Sequence, residues 1–167
     1  IEQLKPLAQV KQQTLEFCCA NTEVVVWADR DRLIQTVVNL VQNAIKFTPP
    51  GGNVWVACEL LNHRTATVLV RDTGPGIAAE YLDKIFDPFF RIQQGQRTAP
   101  KGLGLGLSIV KTLVELQGGE VAACNCPEGG AELSFTIPIH AVRVPLLLES
   151  HLLGQHILVV DDDTDIQ

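Results

Sequence analysis

Asn39, Asn43 and Lys46 recur at i, i+4 and i+7, which puts them on one stripe of a helix whose other positions are nearly all apolar. A polar group buried on such a stripe costs on the order of 1–3 kcal/mol if it finds no partner. Amide oxygens suit a hard cation, and magnesium commonly brings with it a substrate phosphate that a lysine can reach. Taken alone, the exposed polar edge of an amphipathic helix is the simpler reading of these three residues.

Asp72-Thr73-Gly74-Pro75-Gly76 directly follows a strand. By alternation Asp72 falls on the same face as Ala66, Val68 and Val70, so a carboxylate on an inward face needs a donor, and an adenine amino group is one. The two glycines permit close backbone approach or a positive φ. Alone, this is an ordinary Asp–Gly turn. Gly102-Leu103-Gly104-Leu105-Gly106-Leu107 opens a helix, where free N–H groups and the helix dipole attract phosphate. No Gly-Lys-Ser/Thr follows, so this is not a Walker loop, and a loop rather than a strand precedes it, unlike a dinucleotide fingerprint. In Phe86-Asp87-Pro88-Phe89-Phe90-Arg91 three aromatics anchor one end of a polar stretch that runs to Lys101. They read either as core residues or as the hinge of a lid that closes over a ligand, with Arg91 or Lys101 placed to meet phosphate.

The elements that must position these residues are legible in outline. Leu4, Leu7, Val10, Thr14 and Phe17 at helical spacing predict an amphipathic helix over 4–17. Val24–Trp27 is a short strand, Asp29 an N-cap, and residues 30–46 the strongest helix, ended by Pro49-Pro50-Gly51-Gly52. Two hairpins follow the period-2 pattern, 54–60 with 65–71 and 120–126 with 133–139. A short helix near 79–85, a mobile loop over 87–101, a helix over 105–116, a linker over 140–155 and an apolar strand over 156–160 complete the chain. Strands and helices mix without regular βαβ alternation. The expected fold is therefore α+β, helices over one face of a mostly antiparallel mixed sheet.

In order and spacing the four motifs resemble the ATP-binding catalytic domain of sensor histidine kinases of two-component systems. Asn39 to Pro49 is similar to the N box of that family, Asp72 to Gly76 to its first glycine box, Phe86 to Phe90 to its F box, and Gly102 to Leu107 to its second glycine box. The resemblance covers residues 29–139 and implies the two-layer Bergerat sandwich of the gyrase, mismatch-repair and heat-shock chaperone ATPases. It implies that Asn43 ligates Mg²⁺ with Asn39 beside it, that Lys46 touches phosphate, and that Asp72 binds the adenine amino group of ATP. Gly74 and Gly76 would form the adenine side and Gly102, Gly104 and Gly106 would flank the phosphates, with Ile77, Phe89, Arg91, Lys101, Leu103, Leu105 and Leu107 among the ATP-binding residues. Residues 87–103 would be the lid. Hydrolysing relatives carry a glutamate where this chain has Asn39, and an amide is no general base. ATP held for transfer to a histidine is therefore the expectation. A nucleotide-sensing module without transfer and an ATPase of the gyrase or chaperone type are the alternatives.

None of His63, His140, His151 and His156 lies on a helix followed by the family's acidic and proline pattern, so the phosphoacceptor is expected on a separate dimerisation domain. Residues 1–20 would be the connector from it, 21–140 the catalytic domain and 141–155 a linker. Residues 156–167, with Asp161 and Asp162 after an apolar strand, resemble the start of a receiver domain, as in a hybrid kinase. That segment cannot complete a receiver fold and is expected to lack order or to dock on a neighbour. A receiver domain of a response regulator would be the downstream partner. The net charge of −6 argues against nucleic acid as a partner. The five cysteines form no C-x-x-C pair, so reduced thiols fit better than zinc or disulfides. No run reaches the ~20 apolar residues of a membrane span. A cytoplasmic fragment without membrane contact, from a parent that could itself be anchored, is the expectation.

Overall fold

A computed structural model describes residues 2–19, 23–62, 64–92, 103–143 and 158–161. The helix predicted over 30–46 is α2, Arg30–Phe47. It starts where Asp29, in extended conformation, accepts hydrogen bonds from the Asp31 and Arg32 amides at 3.0 and 3.1 Å. It stops at Thr48, which is extended because Pro49 follows. Leu33, Val37, Leu40, Val41, Ala44 and Ile45 form its buried face, each Leu, Val or Ile contributing roughly 1.5–3 kcal/mol relative to exposure. Asp29→Ala leaves that face intact and removes only the cap. It is expected to lower unfolding free energy by about 1 kcal/mol, read as a lower denaturant midpoint at unchanged slope.

The strands are β1 (Thr14–Cys19), β2 (Glu23–Trp27), β3 (Asn53–Asn62), β4 (Thr65–Asp72), β5 (Val121–Asn125), β6 (Ala131–Arg143) and β7 (Leu158–Asp161). They form one sheet in the order β1-β3-β4-β6-β2-β7, with β5 also paired to β6. The β1–β3 and β2–β7 pairs are parallel and the other four antiparallel. Long β6 joins two regions, pairing through its first residues with β4 and β5 and through its last with β2. Ala66, Val68, Val70 and Asp72 alternate into the interior along β4, and Ala131, Leu133, Phe135 and Ile137 do so along β6. Over this face lie α2 and α3 (Gly106–Leu116), packed on one another and sharing one apolar cluster with the sheet. The predicted α+β layer is the observed one.

The N-terminal reading needs correction. A 3-10 turn (Glu2–Leu4) and α1 (Lys5–Val10) replace the helix over 4–17, and Thr14–Cys19 is strand β1. Gln12, at φ +54°, turns the chain, and pairing of β1 with β3 overrides the helical spacing. The expected helix near 79–85 shrinks to a 3-10 turn, Ala79–Tyr81, followed by turns that bury Ile85 and Phe86. β6 runs to Arg143, into the stretch read as linker. Leu158–Asp161 lies along β2 of this sheet. Most of the loop 87–101, with Lys101, Gly102 and residues 144–157 and 162–167, falls outside the described residues, as do His63, His151 and His156.

Candidate functional site

Strand alternation carries Asp72 inward at the end of β4, where it is 7% exposed. Its Oδ1 accepts from the Gly74 amide at 2.7 Å and from the Ala131 amide at 3.4 Å. Burial pushes the carboxyl above its ordinary range, and these two amide bonds pull partly back. Among the described residues nothing donates to Oδ2, so one oxygen remains as a free acceptor. The turn that follows needs its glycines. A Cβ on Gly74 would stand 2.7 Å from the Asp72 carboxylate and 3.2 Å from the Phe47 carbonyl oxygen, and Gly76 sits at φ +73°. The Phe47 contact also shows that the end of α2 abuts this turn.

Asn39, Asn43 and Lys46 lie half-buried along α2 as the spacing predicts. The side-chain amides of Asn39 and Asn43 make no hydrogen bond to any described residue. The Lys46 ammonium lies 4.9 Å from the centre of the Phe47 ring. It is held below its usual range first by burial and then by the charge of the Arg91 guanidinium. Two cations near one another make a place for an anion. Among the described residues no cluster of three or more His, Cys, Asp or Glu is placed to hold a metal ion.

The start of α3 meets this region through the aromatic segment. Phe86 is buried and Phe90 packs on Tyr81 with ring centres 5.6 Å apart. The Phe89 amide donates to the Gly104 carbonyl at 3.0 Å, with Phe89 at φ +63° and Gly104 at φ +73°. A Cβ at Gly104 would press on the Phe89–Phe90 backbone. Leu105, the residue before the helix, offers no side-chain cap, and Gly106 has open space where a side chain would stand. The first amides of α3 are those a helix start leaves without intrahelical partners, and no side chain caps them from Leu105. Ser108 is turned away, donating to the Leu105 carbonyl at 2.9 Å. Leu105 and Leu107 are half-buried, whereas Phe89 and Leu103 are largely exposed.

Two residues of this site went unread in the sequence. Asn125, at the end of β5, clamps Ile77 from both sides, accepting from its amide at 2.8 Å and donating to its carbonyl at 2.6 Å. Gly130 lies so close to the Asp72 carbonyl that a Cβ there would overlap it. A single Asn at a strand end and a Gly in a hairpin carry no signal of their own, because only the sheet brings them to Asp72 and Ile77. No helix among the described residues is long and apolar enough to cross a membrane.

Residues 28–141 match the family described as histidine kinase-, DNA gyrase B-, and HSP90-like ATPase. The adaptive-response sensory kinase SasA of Nostoc sp. is 31% identical over 138 residues, which is 83% of this chain and 34% of that protein. The chain thus spans about a third of that relative's length. Full-length ShkA, solved in complex with AMPPNP, superposes with a TM-score of 0.75 at 31% identity, over 87% of this chain and 29% of that one. Histidine kinase ThkA, solved in complex with response regulator protein TrrA, gives 0.68 at 31% identity, over 82% of this chain and 37% of that one.

Proposed function

Because the chain belongs to the histidine kinase-, DNA gyrase B- and HSP90-like ATPase family, we propose that its cleft binds Mg²⁺-ATP and presents the γ-phosphate to a histidine on a separate dimerisation domain. The observation that supports this reading is the buried Asp72 in a glycine turn that abuts the end of α2, the helix that carries half-buried Lys46 within the field of Arg91. Asp72 accepts the adenine amino hydrogen, and the Gly74–Ile77 turn lines the base. Asn43, with Asn39 beside it, offers amide oxygen to the metal. Mg²⁺, when bound, neutralises charge on the phosphates. Lys46, Arg91 and the α3 amides hold the phosphate oxygens, with Lys101 and the Gly102–Leu107 stretch assigned to the same phosphates. Asn39 takes no proton from water, so the bound nucleotide waits for an acceptor.

On this reading residues 1–20, whose last part is strand β1 of this sheet, lead in from the acceptor domain, and residues 156–167, of which Leu158–Asp161 pairs here with β2, begin a receiver. The domain works in the cytoplasm, and the phosphoryl group passes on to a response-regulator receiver. SasA, as a sensory kinase, and the ThkA–TrrA complex support that order of partners. Calorimetric titration with AMPPNP, with and without Mg²⁺, tests the cleft. The unsubstituted chain should bind more tightly with the metal. In Asn43→Ala the gain should vanish, a loss of about tenfold for one charge-assisted contact. An unchanged gain would count against Asn43 as ligand. Labelled ATP with a separately made acceptor domain should then give phosphohistidine, and steady phosphate release by the chain alone would favour hydrolysis instead.

A further inference from the structure

The last turn of α2 is held by residues that lie more than thirty positions earlier. The Lys11 ammonium donates to the carbonyls of Ile45, Lys46 and Thr48 at 2.7, 2.9 and 2.8 Å. Buried Gln13 donates through Nε2 to Ile45, Thr48 and Pro49 at 3.1, 2.6 and 3.3 Å. The Ile45 and Lys46 carbonyls are among those a helix end leaves without intrahelical partners, the Thr48 and Pro49 carbonyls lie just past that end, and a cation there also suits the negative end of the dipole. The backbone adds two further ties, from the Gly51 amide to the Lys11 carbonyl and from the Thr14 amide to the Gly52 carbonyl, both 3.0 Å.

The clamp touches both sides of the nucleotide cleft. Lys46 belongs to the clamped turn, and Asn43 lies one turn before it. Gly52 packs on Thr73, next to Asp72, and Thr73 Oγ1 accepts from the Asn53 amide at 2.9 Å. Upstream, α1 and its 3-10 turn bury Leu4 and Ala8 in the core, and the Lys11 and Gln13 amides donate to the Ala8 carbonyl at 3.0 and 2.9 Å. A shift of α1 therefore pulls directly on the end of α2.

We propose that Lys11 and Gln13 are positioning residues which hold Asn43 and Lys46 in register with the Asp72 turn, so that the α1–β1 connection sets the alignment of metal and phosphate. The inference rests on the nucleotide reading above. In Lys11→Met, which keeps the aliphatic stem, hydrogen exchange at the Ile45–Thr48 amides should quicken. The Mg²⁺-dependent gain in AMPPNP affinity should fall about tenfold, metal-free affinity should stay within about twofold, and Lys11→Arg should restore the gain. Quicker exchange with an unchanged gain would reduce the clamp to a structural cap and overturn the inference. Equal losses with and without metal would do the same, since they report general damage to the pocket. If the unsubstituted chain gains nothing from Mg²⁺, the nucleotide reading fails and the inference with it. A normal gain that survives Lys11→Met sinks the inference alone.

Discussion

Asp72→Asn is expected to give a chain that is more stable than the original at neutral pH yet binds AMPPNP roughly 10- to 100-fold more weakly. Both effects come from one buried carboxylate. Burial raises its folded-state value above the ordinary 3.8 of the unfolded chain. A raised carboxyl favours the folded state fully only below the unfolded value, and that advantage is lost as pH rises through the folded value. At neutral pH the ionised group is therefore a net cost to folding. The isosteric amide can keep the bond from Gly74 through its oxygen and carries no charge to desolvate. The gain in melting temperature should be present at pH 7 and vanish as pH falls towards the ordinary carboxylate range.

Binding should run the other way. On the proposed reading the free oxygen of an ionised Asp72 would accept the adenine amino hydrogen, whereas an amide turned to keep its Gly74 bond would present NH₂ to that same donor. Affinity of the original chain should also decline as pH drops through the raised Asp72 value. The Asp72→Asn variant should show no such decline from this group. Equal affinities in the two chains at pH 7 would remove Asp72 from the adenine site. A less stable variant would show that the buried charge is compensated by something more than the two amides.

The sequence carries the parts of this site that depend on local pattern. Asn39, Asn43 and Lys46 share a stripe because the period of α2 is read directly from its apolar residues. Asp72 points inward because β4 alternates without a break from Ala66. The parts made by long-range pairing were hidden. Thr14–Cys19 has helical spacing and becomes a strand only because β3 offers it an edge. Lys11, Gln13, Asn125 and Ala131 bond to residues 32 to 59 positions away, and nothing in their neighbours' types announces it. Polar residues in turns read as solvated, and only the folded sheet shows which of them are spent on the backbone of the site.

Gly130→Ala should be the most destabilising of the substitutions considered, by roughly 2–6 kcal/mol. Two costs combine, about 1–3 kcal/mol for a side chain at a disfavoured backbone angle and a similar amount for forcing packed groups apart. Gly130 sits at φ +88°, and its Cβ would overlap the Asp72 carbonyl oxygen and crowd Thr73. The obstacle is backbone of a central strand, which cannot swing aside as a flexible side chain would. Gly129 separates the two terms, since it has φ +100° and open space around its Cβ position. Gly129→Ala should therefore incur only the first cost, and the difference between the two denaturation midpoints measures the second. Displacement of Asp72 should also weaken AMPPNP binding in the Gly130→Ala variant under conditions where it is fully folded, while the Gly129→Ala variant binds normally. Equal midpoints for the two variants would mean that the hairpin can lift away from β4 freely. The Ala131 bond to Asp72 would then be too loose to fix the carboxylate to which adenine recognition is assigned in the proposed function.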